Sequence, residues 1–297
     1  MLSTRDIYMK MCHESKLLHA LTDEERRALQ AHLRKMYVDI ETVCNRHGLT
    51  VMLAYGCVLG AIRHGGFIPW DDDLDLYMPR KDYDELINKY ADELPDNYIV
   101  YSPNSKNGPI YNFAKIVDKN TKFVFPGDEN AKHHAGVFVD IFPLEAIDAD
   151  RPIMNKIKSV VLKGIIYISG SVMQFERNSK IYRQLMAGSR MARFNYWFRQ
   201  IVGFIFSFVG SKTWQNLFDS ICRNTHETGY LHEPSGIYTW VPISKDVFLP
   251  PQRVKFDDIE ANIPNDPTFL LERDYGDWHY IPKPEERWEH FLVDIQL

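Results

Sequence analysis

Between Asp71 and Asp75 the chain places four carboxylates (Asp71, Asp72, Asp73, Asp75) in five positions, and Leu74, Leu76, Tyr77 and Met78 turn the same run apolar. A solvated acidic loop does not usually pass straight into alternating Asp-Leu-Asp-Leu. That alternation is the pattern of a β-strand, with Asp73 and Asp75 on one face and Leu74 and Leu76 on the other. Carboxylates two residues apart on one face stand about 7 Å apart and repel unless a cation lies between them. A hard divalent ion, Mg²⁺ or Mn²⁺, takes carboxylate oxygens and leaves room for substrate phosphates. The plainer alternative is a charged hairpin tip.

The residues before the acids favour the metal. Residues 49–55 (LTVMLAY) predict a short buried strand ending at Gly56, and residues 57–63 the first turns of a helix that stops at His64-Gly65-Gly66. A strand, a Gly turn and a helix N-terminus present free backbone N–H groups to an anion. The next strand then delivers carboxylates opposite that anion, which is the layout of a nucleotidyltransferase-type site. Arg63 is a candidate phosphate ligand, or a partner for Asp71 or Asp72. His64 reads as a turn residue. Lys115, inside the apolar strand of residues 112–117, must reach solvent or meet an anion, and phosphate is a candidate. Asp140, inside the apolar strand of residues 136–141, needs either a metal or a salt bridge to Lys or Arg.

At these residues the sequence resembles the LicD/fukutin group of phosphotransferases. The resemblance lies in YGCVLGAIRHGGFIPWDDDLDL, in GVFVDIFPLE (136–145) and in YGDWHYIPKPEERWEH (275–290). The middle of the chain matches poorly. The resemblance implies a nucleotidyltransferase-like fold that moves a phospho-alcohol, often phosphocholine, from a CDP-linked donor to a glycan. It also supplies the third metal ligand: Asp140 joins Asp73 and Asp75. One departure is Cys57, where the family usually has Thr or Ser. A thiol is a poor hydrogen-bond donor, so contact with phosphate there falls to the backbone.

The expected fold is α/β: a mixed, nucleotidyltransferase-like sheet under helices, with a helical insertion. Residues 1–150 form the catalytic core, 151–225 a basic, aromatic insertion, and 226–297 strands and a tail that complete the core. Residues 22–47 predict a helix with a Thr22/Glu25 capping box and a terminal Gly48. Residues 81–94 predict another helix, and 98–101 a strand. The insertion's helices are expected to break near Gly170, Gly188 and Gly210. Strands are expected at 237–243, 247–249, 254–256 and 259–263, and a helix at 268–275. His133 and His134 read as solvated loop residues. Tyr238 and Trp240 are candidates for stacking on a base, although aromatic core residues are commoner.

Net charge is −5, which excludes a nucleic-acid binder by bulk electrostatics. Yet residues 151–223 carry twelve Lys/Arg against only Glu176 and Asp219, with aromatics between them. That points to an anionic lipid or a lipid-linked glycan, and to peripheral contact with the inner face of a membrane. No run reaches the ~18 apolar residues of a spanning helix. Four scattered cysteines without a CxxC pair read as reduced thiols of a cytoplasmic protein.

Together these residues read as a Mg²⁺-dependent transferase. Asp73, Asp75 and Asp140 hold metal; Gly56, Cys57, Arg63 and Lys115 face phosphate; Asp71 is the base for the acceptor hydroxyl. A nucleotidyltransferase releasing pyrophosphate would use the same carboxylates. A non-catalytic binding protein of the same fold is the other rival.

Overall fold

The computed structural model describes residues 4–224, 226–236 and 240–297. Its longest core helix, Asp23–His47, starts where local chemistry says it should. Thr22 accepts from the Glu25 backbone while the Glu25 side chain reaches back to Thr22, and Gly48 closes the helix in the left-handed region at φ 66°. Leu29, Leu33, Met36, Tyr37, Ile40 and Val43 are buried, so the helical apolar stripe lies on the core.

That stripe covers a mixed sheet. Its main path runs Met52–Leu53, Asp75–Pro79, Phe138–Ala146, Ala114–Asp118, Tyr98–Tyr101. The Asp75–Pro79 strand is parallel to Phe138–Ala146; its pairing with Met52–Leu53 is antiparallel, as are the two pairs beyond. Tyr230–His232 and Ile243–Ser244 extend the far end of the Phe138–Ala146 strand. The Asp-Leu alternation is realised as two faces. Leu74, Leu76 and Met78 are fully buried in the main core, while Tyr77 belongs to a second cluster with Phe142, Leu144 and Phe248.

The segment expected to be one helix over 81–94 turns from α-helix (Arg80–Glu85) through a wider π turn (Leu86–Tyr90) into a 3₁₀ turn (Ala91–Glu93). Four helices make the insertion: Pro152–Arg177, Lys180–Met186, Arg190–Phe206 and Ser211–Cys222. Chain breaks fall near Gly188 and Gly210 as expected, but Gly170 lies inside an unbroken helix. A Cβ at Gly170 would meet only the tip of the Arg199 side chain, whereas one at Gly203 would stand 2.4 Å from the Ser171 carbonyl. Gly203 therefore lets the long helices cross closely.

Both acids of the insertion are spent internally. Asp219 meets Arg80 Nη2 at 2.9 Å and Arg223 Nε at 2.9 Å, while Arg80 also binds buried Glu145. Glu176 accepts from the Ser211 backbone and hydroxyl. Such pairs tie the insertion to the sheet.

The C-terminal part closes the core. The hairpin Gln252–Phe256 with Ile259–Ile263 buries Phe256, Ala261 and Ile263 in the core shared with the Asp23–His47 helix. Short strands Phe291–Leu292 and Asp294–Gln296 pair with His19–Ala20 and Lys122–Val124. Residues 247–249 form no strand, because Lys245–Phe248 is a short helix. Of the strand expected over 237–243, residues 237–239, with Tyr238, lie outside the described residues, and strand begins only at Ile243. Trp240 is buried with its ring 4.4 Å from that of His232, so it is core rather than a stacking platform.

Candidate active site

Register, more than sequence proximity, assembles this site. Asp75 is the register partner of Asp140, Asp140 of Lys115, and Lys115 of Tyr101. Register partners project to the same face, so these side chains form one row across four strands. The Leu74 carbonyl accepts from the Asp140 N–H at 3.1 Å, which carries the pairing one step earlier and brings Asp73 to the end of the row.

Lys115 Nζ lies 2.6 Å from Asp140 Oδ1 and 3.0 Å from the centroid of the Phe138 ring. The lysine therefore already has an anion, and the salt bridge open in the sequence at Asp140 is made. It is the one lysine in the row, against Asp71, Asp73, Asp75 and Asp140. Burial raises all four carboxyls. Asp73 is pushed up to about 6 by burial and by Asp72 and Asp140, with His290 opposing. Asp71 rises through burial and the charge of Asp73, and Asp75 through burial, Asp73 and Asp140. Burial lowers Lys115, with Asp140 opposing. A buried acidic site so short of positive charge suits a hard cation.

The Gly turn lies beside it. Ala54 precedes the Tyr55–His64 helix in extended backbone, and no side chain caps the first turn. Tyr55 starts the helix at φ 44°, a left-handed conformation that non-glycine residues rarely adopt. A Cβ on Gly56 would come within 3.2 Å of Asp71 Oδ2, so glycine keeps the turn against the acid run. That same Oδ2 is buried with no hydrogen-bond partner among the described residues. Gln30 fixes the approach by donating to the Asp71 carbonyl at 2.9 Å.

Three assignments change. Arg63 stands at the far end of its helix, about 10 Å along the axis from Gly56. There Nη1 donates to the carbonyls of Trp278 (2.8 Å) and Tyr280 (2.9 Å), and Nε to His64 (3.0 Å). It fastens the C-terminal segment, away from the Gly turn at the other end of the helix. The Cys57 N–H, expected to face phosphate, donates instead to the Ala54 carbonyl at 3.0 Å, and the thiol turns inward, accepting from the Asp75 N–H at 3.4 Å and lying 4.0 Å from the Asp73 carbonyl. It steadies the acid run from behind. His133 and His134 are not solvated: His134 is bonded to the Thr121 carbonyl at 2.9 Å, and burial pushes His133 down to about 3.

Sequence reasoning left out Asp72 and His290. His290 Nδ1 stands 2.6 Å from Asp72 Oδ1, and the His290 N–H donates to Asp72 Oδ2 at 3.2 Å. Burial would lower His290, but the bond and charge of Asp72 raise it instead. Among the described residues, Asp72, Asp73 and His290 are the group whose ligand atoms come within 4.8 Å of one another. Two of those atoms are already each other's hydrogen-bond partners, and a hard ion prefers oxygen. We read Asp72–His290 as the brace that holds Asp73. The signal was present, since the third resembling stretch ends on His290.

Residues 48–158 match the LicD/FKTN/FKRP nucleotidyltransferase domain. The chain carries a LicD-type domain. That domain contains the Gly turn, the acid run, Lys115 and Asp140; His290 and most of the insertion lie outside it. Over 127 residues the chain is 31% identical to a lipopolysaccharide cholinephosphotransferase LicD of Haemophilus influenzae, covering 41% of this chain and 46% of that protein. It is 25% identical over 134 residues to mannosyltransferase regulator 4 of Saccharomyces cerevisiae, covering 42% of this chain and 11% of that one. The LicD-type match thus spans about half of the bacterial relative and a small part of the yeast one.

Proposed function

We propose that this protein transfers phosphocholine from a CDP-linked donor to a cell-surface glycan. The observation that carries the reading is the buried row Asp75–Asp140–Lys115, continued by Asp73 and set beside an uncapped helix start. The bacterial relative contributes the choline and the lipopolysaccharide, which are stated of that protein.

In this reading Asp73, Asp75 and Asp140 hold Mg²⁺ or Mn²⁺. The ion would supply charge neutralisation at the phosphates during transfer. The residues of the chain divide the remaining tasks. The N–H groups of Tyr55 and Gly56 receive phosphate oxygens, those of Cys57 and Val58 being bonded to the Ala54 carbonyl. Lys115 neutralises charge on the same face and keeps Asp140 ionised. Asp71 receives the proton of the acceptor hydroxyl, whose oxygen forms the new bond to the choline-bearing phosphorus. The bond from that phosphorus to the bridging oxygen breaks, and CMP leaves. A carboxyl raised by burial is suited to the proton-accepting role. His290 and Asp72 orient Asp73.

The insertion serves the acceptor side. On its two long helices Ile153, Ile157, Val160, Met191, Phe194, Trp197, Ile201 and Phe204 are each more than half exposed. No helix among the described residues is long and apolar enough to cross a membrane. An apolar, aromatic face rimmed by Lys156, Lys163, Arg190 and Arg193 fits an anionic interface. Arg199 does not belong to that rim, being packed over the Tyr167 ring.

The test is incubation with Mg²⁺ and a panel of CDP-alcohols, followed by chromatography of the products. CMP formed in proportion to transferred phosphocholine supports the reading. Pyrophosphate released from a free nucleoside triphosphate would replace it with plain nucleotidyl transfer.

A further inference from the structure

A cavity of about 310 Å³ opens against Asp75, and Lys115 and Asp140 do not line it. Three aromatic rings form its walls. The Tyr55 and Phe142 rings stand edge to face, with centroids 5.4 Å apart at 89°, and Tyr275 is the third. Glu233 lines it from the loop after the Tyr230–His232 strand. Its Oε2 accepts from the Tyr55 hydroxyl at 2.7 Å, and its Oε1 accepts from the Ser235 N–H at 2.6 Å. Gly236 lets this loop close: a Cβ there would stand 2.3 Å from Glu233 Oε2 and 2.6 Å from the Tyr55 oxygen. Asp274 also lines the cavity but is neutralised by Arg273 at 2.6 Å.

The lining selects by what it lacks as much as by what it offers. A cation is called for by Glu233 and by the faces of electron-rich rings, since Arg273, which also lines the cavity, is paired with Asp274. A primary ammonium carries three N–H donors, which aromatic walls leave largely unmet, and each Glu233 oxygen already takes one of the donors it can accept. A quaternary ammonium makes no hydrogen bonds and asks only for aromatic faces and a carboxylate nearby. The geometry points to a quaternary-ammonium subsite made by Tyr55, Phe142, Tyr275 and Glu233, seating the head of the transferred group with its phosphate toward Asp75. This rests on the phosphocholine reading above and adds which residues seat the choline head.

The experiment is calorimetric titration of the full chain with tetramethylammonium, choline and ethanolamine, with no nucleotide present. Variants Tyr275→Ala, Tyr275→Phe and Glu233→Gln are compared, and thermal melts check that each is folded. Choline and tetramethylammonium should bind at least about tenfold more tightly than ethanolamine, the size of one cation–π contact. Tyr275→Ala should lose about tenfold in choline affinity, Tyr275→Phe should keep it, and Glu233→Gln should weaken it. In turnover of CDP-choline, Tyr275→Ala should raise KM more than it lowers kcat. Ethanolamine binding as tightly as choline, or an unchanged affinity in folded Tyr275→Ala, overturns the subsite. CMP release from other CDP-alcohols without choline binding also overturns it, while leaving the transferase reading standing. Choline binding without CMP release from any CDP-alcohol supports the subsite and overturns the transferase reading.

Discussion

Replacing Lys115 with Met tests the charge logic of the site without touching a proposed ligand. The substitution keeps an unbranched stem against Phe138 and Tyr111 and removes the Nζ that stands 2.6 Å from Asp140 Oδ1. Asp71, Asp73, Asp75 and Asp140 then share a buried site with no lysine. Breaking one side of a buried ion pair costs about 3–5 kcal/mol. Asp140 can recover part of that by taking up a proton, so about 3 kcal/mol is expected at pH 7. For a chain of this size, with an unfolding entropy of about 2.1 cal/mol/K per residue, that corresponds to a Tm lower by roughly 5 °C in EDTA. A divalent ion answers the same deficit. If Mg²⁺ or Mn²⁺ is present at about 100 times its Kd, binding returns about 2.7 kcal/mol. Lys115→Met should therefore regain most of its lost Tm on adding metal. Wild type should gain less, because Lys115 competes for Asp140. Scanning calorimetry of both proteins, with and without 5–10 Kd steps of metal, makes the comparison. An equal metal response in wild type and Lys115→Met, or a Lys115→Met protein that melts like wild type in EDTA, would refute the reasoning.

Asp73→Asn, Asp75→Asn and Asp140→Asn should each remove nearly all CMP release while the protein stays folded; near-normal turnover of Asp140→Asn in excess Mg²⁺ would show that the three acids do not act together. Cys57→Ser should change Tm little, since the hydroxyl can accept from the Asp75 N–H and donate to the Asp73 carbonyl, and should leave KM for the CDP-donor unchanged; a large gain in donor affinity would place this side chain at the phosphates after all. The double variant Phe194→Glu, Ile201→Glu should fall in sedimentation with anionic vesicles while keeping CDP-donor affinity, and a loss of donor binding would assign the face to the nucleotide. Burial, with Lys158 adding, pushes His232 down to about 3. The unfolded chain therefore binds its proton first, so this contribution is complete above pH 6.5 and is lost as pH falls toward 3. Urea midpoints should show about 2 kcal/mol lost by pH 5 relative to pH 7, and a His232→Leu variant should show a smaller loss over that interval.

What could be read from the chain was what short-range chemistry determines. The Thr22/Glu25 box and Gly48 bounded the first helix because capping is settled within a turn. The faces of Leu74 and Leu76 followed from a period of two. Arg63 was misplaced because an arginine near phosphate-binding residues in sequence lies a helix length from them in space, where the Trp278 and Tyr280 carbonyls claim it. Gly170 looked like a break because a lone glycine weakens a helix locally, yet the apolar packing of the Pro152–Arg177 helix carries it through. Glu233 drew no attention, since the cavity it shares with Tyr55 joins residues 178 positions apart, and Tyr275 stood out only as the start of a resembling stretch. Asp72 drew none as a brace because its partner, His290, is 218 positions away.

The pairing of Phe291–Leu292 and Asp294–Gln296 bears on modularity. These strands dock on His19–Ala20 and Lys122–Val124, so they reach both before and into the LicD-type stretch, and they carry His290 to Asp72. The core under the acid run draws Leu29 and Met36 from one side of residues 48–158, and Phe256, Ile263 and Leu292 from the other. The stretch that carries the chemistry is therefore not a cassette. Cut out or grafted elsewhere, it would expose one face of its sheet and leave Asp73 without its brace, so variation that preserves function must keep distant parts of the chain in step with it.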